Sequence, residues 1–300
     1  MKSLPTMLKT VLGDKNYPSL LKEISLPPSP LYFLGELPKS SDVLIAVVGT
    51  RKASRDGLLL AKQIGKELAQ VGAIVVSGLA LGIDGAAQEG AVTADGRTIA
   101  VLATGLDAIY PRAHENLARE ILEKSGGIIS EYPEGTPALP HQFLERNRIV
   151  SGMCIATVVI EAPMRSGALA TARFALEQGR ELFVAPGPVS HRNYEGAHML
   201  LRNGARIITS ASDILEDLEN VIANHQISLP IIHKNERDLT FKDEKDLLVA
   251  GAFKNSLQPL TVDKIAEMTN LEPYVVNERL TFMILRKIVE ETGGRFKLIK

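Results

Sequence analysis

Val43-Leu44-Ile45-Ala46-Val47-Val48-Gly49-Thr50-Arg51 is the stretch from which the fold can be read. A short, β-branched apolar run ends in glycine, and a helical pattern follows over 57–71. The same unit recurs outward along the chain. Apolar runs at 73–77, 98–103, 127–130, 155–160, 181–185 and 205–209 alternate with helical patterns such as 113–124, 142–152, 168–179 and 194–203. Strand–helix alternation of this kind means βαβ units, hence an α/β protein with a doubly wound, mainly parallel sheet. The lack of Trp and the 5% aromatic content leave an aliphatic core, which suits strands buried on both faces.

The flanks read differently. Residues 1–40 are Pro-rich, with Pro27, Pro28 and Pro30 ahead of Leu31-Tyr32-Phe33-Leu34-Gly35. They are expected to form an extended arm whose apolar residues lie on the sheet domain, assigned to 41–219. The polar stretch 220–240 reads as a linker. Beyond it, 241–300 offers three helices, at 243–254, 261–269 and 273–287, with Thr261 as an N-cap and Pro273 at a first helical position. A hairpin follows, turning at Thr292-Gly293-Gly294. Three helices and a hairpin predict a small winged-helix domain.

Composition excludes several classes of function. Cys154 is the only cysteine, so neither an internal disulfide nor a cysteine zinc site can form. The six His residues have no metal-ligand spacing, and no metal or other cofactor is expected. No segment approaches the ~18 apolar residues of a membrane helix. The first residues lack a signal-peptide apolar run. These features predict a cytoplasmic protein with no membrane partner. Net charge is -1, so any site for a polyanion must be local. From His141 to Arg206 there are eight Arg, five Glu and no Lys. That bias favours bidentate phosphate contacts over a diffuse cationic surface.

In an open parallel sheet, ligands bind beyond the carboxyl ends of strands. The candidates therefore follow the apolar runs. In Gly49-Thr50-Arg51, Gly49 allows close backbone approach, the amides at the following helix start favour an anion, and Arg51 adds a bidentate donor. Gly78 and Gly82 belong to Ser77-Gly78-Leu79-Ala80-Leu81-Gly82-Ile83-Asp84, a loop with neither the dinucleotide fingerprint nor a phosphate-loop motif. Asp84 suits a loop organiser. Arg146 and Arg148 diverge by about 200° on a helix, so one can face a ligand while the other anchors the fold. Phe143, one turn before Asn147, is either a core residue or a stacking ring for a base. Ser166 and Gly167 open a helix where an anion would rest. A serine nucleophile would need a base in reach, and His191 and His198 are near only in sequence. A rim of this length suits a polymer better than a small molecule.

Taken together, Gly49-Thr50-Arg51, Ser77-Gly78…Gly82-Ile83-Asp84, Gly105…Tyr110-Pro111, Glu131-Tyr132-Pro133, Phe143…Arg146-Asn147-Arg148, Glu161-Ala162…Ser166-Gly167 and Val184-Ala185-Pro186-Gly187 resemble the DprA (Smf) family of DNA-processing proteins. The resemblance covers roughly residues 16–218. It implies an extended Rossmann-like fold, a homodimer and binding of single-stranded DNA. It also implies loading of the recombinase RecA onto that DNA in natural transformation, with single-strand binding protein as a further partner. The family's DNA-gripping positions fall on Arg51, on Arg146, Asn147 and Arg148, and on Ser166 and Gly167.

Two other functions fit the residues less well. Related Rossmann proteins cleave nucleoside monophosphates, but their Gly-Gly loop and catalytic Glu have no counterpart at Met164–Leu169. A double-stranded DNA regulator would act through the third C-terminal helix, which is mixed in charge and rich in apolar residues.

Overall fold

The structure is a computed structural model that describes residues 5–224, 244–254, 259–285 and 288–298. The chain divides into two compact units, Met1–Ile232 and His233–Lys300.

The first unit is an α/β domain around one nine-stranded sheet. In chain order its strands are β1 (Leu8–Thr10), β2 (Leu31–Gly35), β3 (Leu44–Val48), β4 (Ile74–Ser77), β5 (Thr98–Leu102), β6 (Gly127–Ser130), β7 (Ala156–Val159), β8 (Glu181–Val184) and β9 (Arg206–Ile207). Their order across the sheet is β1-β2-β6-β5-β4-β3-β7-β8-β9. Strands β3 to β9 all pair in parallel; β1 and β2 close one edge antiparallel. The helices are α1 (Arg55–Gln70), α2 (Ile83–Thr93), α3 (Glu115–Glu123), α4 (Pro140–Gly152), α5 (Gly167–Glu177), α6 (Glu195–Arg202) and α7 (Ala211–Asn224).

Strand alternation explains the two layers. Leu44, Ala46 and Val48 of β3 face one core with Ile149 of α4, Ala172 of α5 and Leu200 of α6. Ile45 and Val47 face the other with Ile64 of α1, Ala87 of α2 and Ile214 of α7. Both sets are fully or nearly fully buried, as the continuous apolar run requires. From β3 the chain winds through β4 and β5 to β6 on one side. Helix α4 then returns it to β7, on β3's other flank. The gap between the carboxyl ends of β3 and β7 is therefore the topological switch point, where such sheets bind ligands.

Three elements differ from the sequence expectation. The arm enters the sheet itself: β2 pairs with β6, and Tyr17, Leu21, Leu31 and Leu34 are core residues. Helix α2 is not legible as an amphipathic pattern, because Ile83, Ala87 and Ala91 pack inward while Gly85, Gln88 and Gly90 are buried too. Helix α7 continues to Asn224, into the stretch read as linker; 225–240 of that stretch lies outside the described residues.

The second unit contains α8 (Glu244–Lys254), α9 (Val262–Thr269) and α10 (Pro273–Leu285), then a hairpin of β10 (Val289–Thr292) and β11 (Arg295–Leu298). Thr261 Oγ1 accepts the Lys264 N–H at 3.4 Å, the expected cap. Val249, Phe253, Ile265, Val276, Leu280 and Phe296 form its core.

Candidate nucleic-acid interface

A cleft of about 610 Å³ opens at the switch point. Loops after β3, β4 and β7 line it, together with the first half of α4 and Tyr110 from the loop after β5. Nine of the eleven residues singled out in the sequence line it: Gly49, Thr50, Arg51, Gly78, Phe143, Arg146, Asn147, Ser166 and Gly167.

The exposed parts are cationic and aromatic. The Arg51 guanidinium carbon sits 4.8 Å from the centre of the Phe143 ring. Tyr110 lies on the same ring, with centroids 5.6 Å apart and a 55° tilt. Phe143 is therefore a rim residue, which settles the choice between core and rim. Arg51, Lys52 and Arg165 are exposed and make no ion pair with described residues. Lys52, Arg165 and Tyr110 line the cleft in addition to the residues singled out in the sequence.

The buried parts hold this rim in place. Arg146 is only 4% exposed. Its Nη1 donates to Gly78 O at 2.9 Å and to Val101 O. Asp84, also buried, accepts the Gly78 N–H at 3.1 Å. Burial pushes the Arg146 guanidinium down to about 10, against the pull of Asp84. Burial likewise raises the Asp84 carboxyl, opposed first by Arg146. The two charges thus hold the loop after β4 between them. Gly78 is required there, because a Cβ would collide with the guanidinium. Arg146 is the anchor of the divergent arginine pair.

Arg148 points elsewhere. It forms a 2.6 Å ion pair with Glu131 and does not line the cleft. Burial raises the Glu131 carboxyl despite that partner. Gly82 does not line the cleft either. With φ of +84° it packs under the Thr50 carbonyl, where a side chain would clash. Asn147 Nδ2 donates to Gly167 O at 3.1 Å and ties α4 to the start of α5. Most of the arginine excess is structural: Arg173, Arg180 and Arg206 pair with Glu177, Glu23 and Glu181.

At the N-terminus of α5, the Ser166 side chain makes no hydrogen bond to a described residue. His191 Nδ1 accepts from the Asn193 N–H, and His198 Nε2 bonds the Gly187 carbonyl. Neither is hydrogen-bonded to Ser166 as a base would be. Among the described residues, no cluster of His, Cys, Asp or Glu could hold a metal ion, and no helix could cross a membrane.

Glu161, fully buried after β7, collects the donors behind the Arg51 loop. Burial alone would raise its pKa, but bonds from Ser54, Asn193 and Tyr194 outweigh it and hold the carboxyl below the usual range. A depressed carboxyl stabilises the fold above its unfolded pKa, near 4.3, and that contribution is lost as pH falls through the folded value. Urea titrations should therefore show Glu161→Gln as destabilising at neutral pH. The gap from wild type should shrink below about pH 4.

Fold and site together define a doubly wound α/β protein with an open cleft at its switch point, edged by cationic and aromatic side chains. The chain belongs to the DNA recombination-mediator protein A family, whose model matches residues 9–219. It is 43% identical to protein Smf of Escherichia coli over 203 residues, 68% of this chain and 54% of that one. It thus spans about half the length of that relative. The X-ray structure of DNA processing protein A from Streptococcus pneumoniae superposes with a TM-score of 0.66 at 37% identity, covering 70% of this chain and 74% of that one. DNA processing protein A from Helicobacter pylori, described for its single-stranded DNA binding mode, gives 0.65 at 30% identity over 74% and 99%.

Proposed function

We propose that this protein binds single-stranded DNA along the cleft, without covalent chemistry, and loads RecA onto it as a homodimer. The observation that carries this reading is Arg51 stacked on Phe143 at the mouth of an open cleft. An unstacked base has two faces for such a ring, worth ~1–3 kcal/mol per base, while a paired base in a duplex has neither free. Arg51, Lys52, Arg165 and the amides opening α5 supply the phosphate contacts. Backbone contacts carry no base information, so sequence preference should be weak.

The test is a fluorescent oligo-dT strand titrated across a salt series with duplex competitor. Wild-type affinity should fall steeply with salt and resist the duplex. Arg51→Ala should weaken binding roughly tenfold and make the salt slope shallower by about 0.7, one phosphate contact on a single strand. Equal competition by duplex, or an unchanged slope, would remove the cleft from the reading. Sedimentation at micromolar concentration checks the dimer, and a strictly monomeric species would refute it.

A further inference from the structure

Glu161 lies behind the cleft, yet two segments distant in sequence converge on it. Its backbone carbonyl accepts the Thr50 N–H at 2.7 Å. Its carboxylate accepts the Ser54 N–H at 2.9 Å, the Ser54 hydroxyl, and Asn193 Nδ2 at 2.8 Å. Asn193 Nδ2 also donates to Lys52 O at 3.0 Å. The loop that displays Arg51 and Lys52 is therefore pinned at three of its residues, Thr50, Lys52 and Ser54. Ser54 then caps α1 by accepting the Gly57 N–H at 3.0 Å, so the pinning extends into the helix start.

We infer that Glu161, acting with Ser54 and Asn193, is the positioning residue that sets the spacing of Arg51 and Lys52 for successive phosphates. This rests on the single-strand reading of the cleft. A buried carboxylate is well suited to the task. It has acceptor capacity for several donors, whereas a glutamine at the same place must turn an NH₂ toward at least one of them. It is fully buried and does not line the cleft, so its effect on binding passes through the loop that it holds.

That dependence can be measured as coupling. Glu161→Gln and Asn193→Ala are made alone and in an Arg51→Ala/Lys52→Ala background. Each is titrated with labelled oligo-dT across salt. Alone, each should weaken binding roughly tenfold and flatten the salt slope, as the loss of phosphate contacts does. In the double-alanine background, each should add less than about twofold, because nothing remains to position. A full additive loss, or wild-type affinity in a folded Glu161→Gln protein, overturns the inference. Asn193→Ala keeps the test decisive if the buried substitution does not fold, since Asn193 is only half-buried. Amide exchange at Thr50 and Ser54, whose N–H groups donate to Glu161, separates the two claims. Faster exchange in the variants supports the pinning even if wild type fails to bind oligo-dT, which would defeat only the single-strand reading. Unchanged exchange defeats the pinning itself.

Discussion

Arg146→Met will lower the unfolding free energy by about 2–4 kcal/mol, because it leaves two buried carbonyls without their donor and a buried carboxyl without its nearby cation. The residue looks like a phosphate ligand from its place on the cleft wall, but its bonds are internal. Its guanidinium holds the carbonyls of Gly78 and Val101 and stands beside the Asp84 carboxyl. Methionine fills similar space and leaves Asp84 as an uncompensated buried charge with two unpaired carbonyls near it. The loop after β4 would lose its anchor, and the cleft would lose one wall. Adding Asp84→Asn removes the stranded charge and should restore roughly half of the stability. Urea denaturation of the two single variants and the double variant settles this. A Met variant of wild-type stability that only binds DNA less well would make Arg146 a ligand contact instead.

Gly65→Ala is expected to cost about 3 kcal/mol, at the upper end of overpacking effects. Helices α1 and α2 approach so closely that a Cβ on Gly65 would sit on the Ala87 carbonyl oxygen, and one on Gly90 on the Lys62 carbonyl oxygen. The obstacle is backbone in both cases, so no rotamer change relieves it. Elsewhere in a helix, Gly→Ala is favourable by roughly 1 kcal/mol, which makes the predicted sign a strong test. Lys66→Ala, one residue on and exposed, should stay within about 0.5 kcal/mol of wild type. If Gly65→Ala melts at the wild-type temperature, the helices are farther apart than described.

Sequence periodicity carried most of the architecture, because strands β3 to β8 are buried on both faces and leave unbroken apolar runs. It failed where burial comes without such a run. Helix α2 is wedged against α1 through small residues, so Gly85, Ala87, Gly90 and Ala91 show no polar face to mark its period. Strands β1 and β2 are short, sit among prolines and join the sheet antiparallel, against the βαβ rhythm around them. For the cleft, glycines and arginines after strand ends were sound guides to place but poor guides to role. The spacing of Arg146 and Arg148 required them to point apart; it could not say which pointed inward. Only partners distant in sequence, the Gly78 and Val101 carbonyls near Asp84 for Arg146 and Glu131 for Arg148, decide that, and such pairings have no local signature. Lys52 and Arg165 were passed over because their value lies in having no acid partner, a property of the folded surface.

The antiparallel edge also sets a timetable for synthesis. Strand β2 is made early, yet its pairing partner β6 begins 96 residues after β2 begins, at Gly127 against Leu31. At roughly 5–20 residues per second, the ribosome takes about 5–20 s to deliver that partner. Through that interval Leu31 and Leu34, destined for zero or near-zero exposure, have only the three-residue β1 beside them. The nascent chain therefore carries an unsealed sheet edge until β6 emerges. Slowing translation between β2 and β6 should lengthen the window for misassociation, while slowing it after Ser130 should not.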